Sequence, residues 1–234
     1  MNDPSGLPWL IVGDVHGQLP RLFQALREFP PDEWRTVFLG DLVDFGPFGV
    51  GALRFARDRP NSQILLGNHE VMMLGAVAEF PLRGPMTLSW HGVGGQPHDL
   101  QELAADVDLT AWLVERAALI RLDDGTIAQH CDSDALLNLI RGTETDPVPA
   151  INQAVTERLR NRDFQSVWDV MTQRAVFERQ PLRLESWLKR TNARRVVHGH
   201  TPLPGLVPRV YAGGRAIGYD GGRRRTVVAP LPVD

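Results

Sequence analysis

Three short apolar segments, each followed at once by glycine and then aspartate or asparagine, constrain the fold of this chain most strongly. Residues 9–12, 36–39 and 63–66 are rich in β-forming residues, which predicts buried strands. Between the first two segments, apolar residues within 19–26 recur at helical spacing. Alternating strands and helices predict a parallel sheet, in which ligands bind beyond the carboxyl ends of the strands. The Gly-Asp and Gly-Asn turns therefore lie where a functional site is expected.

The rest of the chain predicts helices followed by a second sheet. Residues 100–118 and 150–192 have helical periodicity, Pro181 is expected to divide the second block into two helices, and residues 143–149 are interpreted as a linker into it. Four further segments are predicted strands, the last three forming a meander in a second sheet: 195–197, 207–211, 216–219 and 226–229.

Composition narrows the class of protein. Cys131 is the only cysteine among 234 residues, which rules out an intramolecular disulfide and a sulfur-rich metal site and predicts a cytoplasmic protein. No apolar run approaches the roughly 20 residues that span a bilayer, so no membrane association is expected. Arginine is concentrated in the second half without interleaved aromatic residues, so nucleic acid is not an expected partner. The oligomeric state stays open.

Five polar clusters, interpreted as strand ends, occur in order along the chain. They are GDVHG at 13–17, GDLVDFG at 40–46, GNHE at 67–70, QHCD at 129–132 and HGHTP at 198–202. Each glycine allows a sharp turn and a close approach of the backbone to a ligand. Carboxylate, amide and imidazole side chains then face the site, and such oxygen and nitrogen ligands bind divalent metal ions.

The order and spacing of these clusters resembles the calcineurin-like metallophosphoesterases, in particular their phosphoprotein phosphatase branch. The stretches GNHEVMML at 67–74, WHGVGG at 90–95 and GRAIGYDGG at 214–222 are similar to flanking sequences of bacterial Shewanella-like phosphatases. The resemblance implies an α/β fold, a four-layer αββα sandwich of two mixed β-sheets flanked by helices. It also implies a single domain over residues 1–234, with a helical cap-like segment at about 150–192.

The same resemblance implies a dinuclear metal centre and a general acid. The six implied metal ligands are Asp14 and His16 on one cation, Asn68, His130 and His200 on the other, and Asp41 bridging both. Mn²⁺ is favoured, and Fe or Zn²⁺ are the alternatives, because nitrogen ligands suit these ions better than Mg²⁺. His69 matches the general acid of the family, and Asp44 matches the carboxylate that orients it. Asn68 and Phe45 are the expected substrate contacts.

The chain departs from the family pattern at two places. Phe45 stands where the family has an arginine that clamps the phosphate, and residues 131–133 replace a Gly-Gly pair after the lone histidine. Arg83, Arg174 or Arg179 could supply a guanidinium group from a loop, although the sequence places none of them in the site.

The expected function is hydrolysis of phosphomonoesters, on a protein or a small molecule. A metal-bridging hydroxide would attack in line, and the His69 and Asp44 pair would protonate the leaving group. One alternative is a dinucleoside polyphosphate or phosphodiester hydrolase, in which Phe45 contacts a base. Another, of a different class, is a catalytically weak phospholigand-binding sensor. The intact general acid argues against the sensor, because a binding protein needs no such group.

Other residues near the clusters are interpreted as structural. His198 is expected to be a buried strand residue or a residue that supports a ligand, and not itself a ligand. Glu70 is expected to anchor backbone or an arginine. Asp132 and Asp220 are interpreted either as hydrogen-bond partners of ligand histidines or as turn formers. The basic tract at 223–225 is interpreted as a solvated end, with phosphate capture as the less favoured alternative.

Overall fold

The computed structural model describes residues 6–223 and 225–232. The strands are β1 (Trp9–Val12), β2 (Arg35–Phe38), β3 (Ser62–Ile64), β4 (Leu119–Arg121), β5 (Thr126–Gln129), β6 (Arg195–His198), β7 (Arg209–Tyr211), β8 (Ala216–Gly218) and β9 (Val228–Pro230). The helices are α1 (Leu19–Leu26), α2 (Gly49–Asp58), α3 (Asn68–Glu79), α4 (Pro85–Gly92), α5 (Pro97–Ala105), α6 (Val107–Val114), α7 (Pro147–Arg160), α8 (Phe164–Met171), α9 (Val176–Arg179) and α10 (Pro181–Arg190). The ends of the predicted domain and Arg224 of the basic tract lie outside the described residues.

Two mixed sheets form the centre of the fold. The first has the order β3-β2-β1-β9, with β1, β2 and β3 parallel and β9 antiparallel to β1. The second has the order β4-β5-β6-β8-β7, with β5, β6 and β8 parallel and antiparallel strands at both edges. The carboxyl ends of the parallel strands carry the polar clusters, as the alternating pattern predicts.

Side chains alternate between the two faces of each sheet. In β1, Ile11 packs in an apolar cluster with residues of the other sheet, whereas Leu10 packs in a larger cluster shared with the helices. In β6, Val197 and Val196 divide in the same way between the inner and outer clusters. A strand exposes successive side chains on opposite faces, so strands that are apolar throughout are buried on both faces. The result is the predicted α/β arrangement of two sheets flanked by helices, which is confirmed.

Three local predictions are wrong. Residues 147–149 are not part of a linker but form the first turn of α7, where Asp146 accepts a hydrogen bond from Val148 N and proline at the first helical positions loses no hydrogen bond. The block at 150–192 contains parts of four helices instead of two, although Pro181 does begin α10. The last strand of the predicted meander, β9, joins the first sheet, because Val228 pairs with Val12 and Gly13 N donates to Val227 O.

The arrangement of residues 1–234 as one domain stays a prediction. In the described part of the chain, no helix combines the length and the apolar character needed to cross a membrane.

Candidate active site

Loops at the carboxyl ends of five strands bring the predicted site residues together. Asp14 and His16 follow β1, and Asp41, Asp44 and Phe45 follow β2. The remaining four lie at the start of α3 or directly after β5 and β6: Asn68, His69, His130 and His200. All of these side chains are buried except that of Phe45, which is partly buried.

One group of possible metal ligands surrounds His16. One ligand atom from each of His16, Asp41 and His69 lies within 4.8 Å of the others. The Nε2 atom of His16 also lies 3.8 Å from Asp14 Oδ2. The Nδ1 atom of His16 lies 3.3 Å from the carbonyl oxygen of Val43, so it carries the proton and leaves Nε2 with a free lone pair. Burial lowers the pKa of His16 to about 4, so this imidazole is neutral and able to bind a cation.

A second group surrounds the Nε2 atom of His130. Asn68 Oδ1 lies 3.0 Å from it, His200 Nδ1 3.1 Å and Asp41 Oδ1 3.3 Å. The Nδ1 atom of His130 donates to the carbonyl oxygen of Leu39 at 2.8 Å, which fixes the ring and directs Nε2 into the site.

These two groups fit a pair of bound cations. Lone pairs of Asn68 Oδ1 and Asp41 Oδ1 face His130 Nε2. Burial lowers the pKa of His200 to about 3, so its ring is neutral. Burial and the neighbouring carboxylates of Asp220 and Asp41 raise the pKa of Asp14 well above its usual value. Such crowding of buried acids is costly unless positive charge offsets it. Asp41 faces both groups, with Oδ1 near His130 and Oδ2 3.9 Å from His69 Nε2.

His69 and Asp44 form a buried ion pair beside these groups. The Nδ1 atom of His69 lies 2.5 Å from Asp44 Oδ2, and Trp90 Nε1 donates to Asp44 Oδ1 at 2.8 Å. Burial lowers the pKa of His69, but the carboxylates of Asp41 and Asp44 outweigh this effect and raise it to about 9. His69 is therefore positioned to hold a proton on Nε2, the nitrogen that faces the possible ligands. A protonated Nε2 has no lone pair, so this ring is suited to donate a proton and not to act as a ligand in the first group. Trp90 is a site residue that the sequence reasoning missed, although it begins the WHGVGG stretch.

The backbone that carries the site is strained. Five site residues have left-handed backbone conformations: His16, Asp41, Asp44, Phe45 and His200. Each such residue costs about 1–2 kcal/mol relative to an ordinary conformation. Glu70 holds part of this backbone, since its carboxylate accepts hydrogen bonds from Asp41 N at 2.8 Å and Leu42 N at 2.7 Å. Of the two predicted partners of Glu70, backbone or an arginine, these contacts are to backbone.

Two glycines allow the carboxylates to approach the backbone. A Cβ atom on Gly67 would lie 2.1 Å from Asp41 Oδ1, and one on Gly199 would lie 2.3 Å from Asp14 Oδ1. Real Cβ atoms do not come that close to other atoms, so any side chain here would displace a candidate ligand. The glycines of the third and fifth clusters are thus explained by close packing against Asp41 and Asp14.

The site opens into a cavity of about 460 Å³ lined by candidate ligands, aromatic side chains and arginines. Arg174 lines the cavity, and its Nε atom donates to His200 Nε2 at 3.1 Å. Arg83 and Arg179 are not among the lining residues. Arg223 and Trp168 also line the cavity, and the sequence offered no local signal for Trp168. Of the three arginines considered as replacements for the clamp, the structure brings only Arg174 to the site.

Asp132, which occupies the position of a family glycine, connects the segments that carry Arg174 and His200. Its Oδ1 atom accepts hydrogen bonds from Ala175 N at 2.8 Å and from Thr201 Oγ1 at 2.7 Å. Each of these partners is adjacent in sequence to one of the two site residues. The carboxylate therefore fixes both segments relative to each other.

His198 and Cys131 lie next to the site but have other partners. His198 is buried, and its Nε2 atom lies 2.8 Å from the hydroxyl of Tyr211. A ligand atom of Cys131 lies within 4.8 Å of those of His130 and His200, but its thiol donates to Met171 O at 2.6 Å. Burial raises the pKa of Cys131 well above its usual value, so it is a neutral thiol and a poor metal ligand.

Comparisons with known proteins agree with this geometry. Serine/threonine-protein phosphatase 1 of Salmonella typhimurium is 41% identical over 70 residues, which are 29% of this chain and 32% of that protein. The symmetrical bis(5'-nucleosyl)-tetraphosphatase of Methylococcus capsulatus is 34% identical over 119 residues, or 47% of this chain and 38% of that protein. The matched segments thus span only about a third of the length of these two relatives.

A structural comparison and a family model extend the likeness to most of the chain. The cold-active protein-tyrosine phosphatase of a psychrophilic Shewanella species superposes with a TM-score of 0.68 at 18% identity, covering 95% of this chain and 75% of that one, which shows a shared fold. The family model of calcineurin-like phosphoesterases matches residues 7–204. The chain therefore belongs to the calcineurin-like phosphoesterases, a family of dinuclear metal-dependent proteins.

Proposed function

We propose that this chain is a metal-dependent phosphoric ester hydrolase that acts on phosphomonoesters. The observation that carries the proposal is the position of Asp41, whose carboxylate faces two groups of possible ligands beside the His69–Asp44 pair. A site for a single cation needs no shared carboxylate, and a site that only binds needs no general acid. The combination is what hydrolysis by two cations and a proton donor requires.

The proposed ligand sets follow from the contacts around each histidine. Asp14 and His16 would hold one cation, and Asp41 would bridge both. Asn68, His130 and His200 would hold the other, as their contacts at 3.0 and 3.1 Å support. Two divalent cations, when bound, lower the pKa of a water molecule and neutralise charge on the phosphate. Mn²⁺ is the proposed ion, with Fe and Zn²⁺ as alternatives, because three of the six ligands are imidazoles.

The protein supplies a proton donor and a cation for the substrate. His69 would protonate the departing oxygen through Nε2, while Asp44 holds its Nδ1 proton and stabilises the charged ring. The Oδ1 atom of Asn68 contacts His130, and the residue also lines the cavity. Its side-chain amide would therefore hold a cation and contact the bound substrate. Arg174 lines the same cavity, and its guanidinium would bind the phosphoryl oxygens.

A second candidate is hydrolysis of a dinucleoside polyphosphate. Phe45 and Trp168 both line the cavity, and aromatic rings stack on nucleobases. The Methylococcus capsulatus relative carries the name of such an enzyme. The phospholigand sensor is less well supported, because the 2.5 Å contact between His69 and Asp44 and the hydrogen bond from Trp90 have no use in binding alone.

Three substrates distinguish these candidates. The purified protein with Mn²⁺ is assayed on an aryl phosphate, an aryl phosphodiester and a dinucleoside tetraphosphate, with a chelator control for each. The proposal predicts the highest kcat/KM on the monoester and none after chelation. Preference for the tetraphosphate would establish the second candidate. Absence of metal-dependent turnover on all three would refute the proposal and favour the sensor.

A cytoplasmic location completes the proposal and is supported by the single, buried, unpaired cysteine.

A further inference from the structure

Phe45, where the family arginine is missing, is covered by another arginine. The guanidinium carbon of Arg223 lies 4.3 Å from the centroid of the Phe45 ring, which is the geometry of a cation–π contact. The Phe45 ring in turn packs edge-on against His16, with the ring centroids 4.9 Å apart. It also lies 5.3 Å from the ring of His69. The Arg223 guanidinium is thus stacked on the wall that adjoins a candidate metal ligand and the candidate acid.

Arg223 has no acidic partner among the described residues. Within residues 6–223 and 225–232, no carboxylate oxygen lies within 4.0 Å of its side-chain nitrogens. Other arginines of the chain do have such partners: Arg54 pairs with Glu102 and Asp106, and Arg209 pairs with Glu178. The contact with Phe45 lies at the guanidinium carbon, and a guanidinium carries five N–H donors for hydrogen bonding. Because Arg223 lines the cavity, these donors are available to an anion bound there.

The turn that carries Arg223 is shaped by local hydrogen bonds. Asp220 accepts from Gly222 N at 2.5 Å, and Arg225 N donates to Gly222 O at 3.1 Å. Gly222 has a φ of +74°, a conformation that residues with a Cβ rarely adopt. These contacts place Arg223 at the cavity while the side chain of Arg225 bonds Pro204 O instead.

We propose that Arg223 is a second phosphate-binding cation beside Arg174 and takes the place of the missing family arginine, with Phe45 as the platform that orients it. The inference rests on the proposed function and names a specificity-determining residue of that site. Its ligand is a terminal phosphoryl dianion, which a planar guanidinium binds through two parallel hydrogen bonds. The guanidinium that the family has at the position of Phe45 is then supplied by the turn that carries Arg223. For Arg223, the proposal favours phosphate capture, the alternative interpretation of the basic tract, over a solvated end.

The test compares four proteins: wild type, Arg223→Gln, the matched control Arg225→Gln, and the double variant Phe45→Arg/Arg223→Gln. Inorganic phosphate is the probe, and its Kd is measured by calorimetry on the full chain loaded with Mn²⁺. Arg223→Gln should weaken phosphate binding about tenfold, the low end for a charged hydrogen bond because this guanidinium is exposed. Arg225→Gln should bind as wild type does. The double variant should recover most of the affinity, because it restores an arginine at the family position.

Metal content and melting temperature are measured on every variant, so that a folding defect is recognised. Equal phosphate affinity in Arg223→Gln and Arg225→Gln would overturn the proposal, as would a double variant that binds no better than Arg223→Gln. The calorimetric result decides the role of Arg223 even if no ester is hydrolysed. Lack of turnover would refute the proposed function alone, and the two failures are therefore distinguishable.

Discussion

Replacing His69 with asparagine separates proton transfer from metal binding. In His69→Asn, the amide can still donate to Asp44, while the imidazole proton that faces the leaving group is lost. General acid catalysis contributes about 10²–10⁴-fold. His69 is 5% exposed and is held by Asp44, which Trp90 holds in turn, so the ring is well oriented. We therefore expect kcat on an alkyl phosphate to fall about 10³-fold, in the middle of that range.

The assay uses two substrates that differ in the basicity of the leaving group. A nitrophenyl phosphate needs little protonation of its leaving group, so its kcat should fall only about tenfold. Metal content measured by plasma mass spectrometry should equal that of wild type. His98→Asn is the matched control, because His98 is exposed and bonds Pro47 O outside the cavity. Equal losses on both substrates, or loss of metal from His69→Asn, would refute the assignment of His69 as the acid.

Three further results are expected. Trp90→Phe removes the hydrogen bond from Nε1 to Asp44, which is worth about 1 kcal/mol. The variant should lower kcat on the alkyl phosphate about fivefold and leave the metal content unchanged. An equal loss on the nitrophenyl ester would contradict this expectation. Gly199→Ala places a Cβ 2.3 Å from Asp14 Oδ1 and should lower metal content. Gly6→Ala, with open space at its Cβ and no place in the lining of the cavity, serves as the control, and equal metal content in the two would refute the packing argument. In metal-free protein, His69 has a pKa raised from 6.5 to about 9, so its stabilising contribution is fully present below pH 6.5 and is lost as pH rises through about 9. The gap in melting temperature between wild type and His69→Asn should narrow over that window, and a gap that widens would contradict the sign.

The polar clusters were predictable because their signals are local. A buried strand followed by glycine and a polar residue defines both the strand end and the direction of the next side chain. Parallel pairing then brings those ends to one edge of the sheet, as β1 and β2 show. The convergence of Asp14, Asp41 and Asn68 therefore follows from short-range sequence patterns, while their function as ligands stays a prediction.

Features that depend on distant contacts were not predictable. β9 has the composition of a strand in either sheet, and only its pairing with β1 and the bond from Gly13 N to Val227 O assign it to the first. Trp90 reaches Asp44 across 46 residues of sequence. The contact of Arg223 with Phe45 joins the second cluster to the turn before β9. No periodicity or residue spacing in the sequence predicts these contacts.

The central claim, a dinuclear centre bridged by Asp41, is tested most directly by anomalous diffraction from crystals grown with Mn²⁺. The account predicts two anomalous peaks about 3.5–4 Å apart, with the Asp41 carboxylate between them. His16 should contact one peak and His130 the other. A single peak, or two peaks with Asp41 bound to only one of them, would contradict the account.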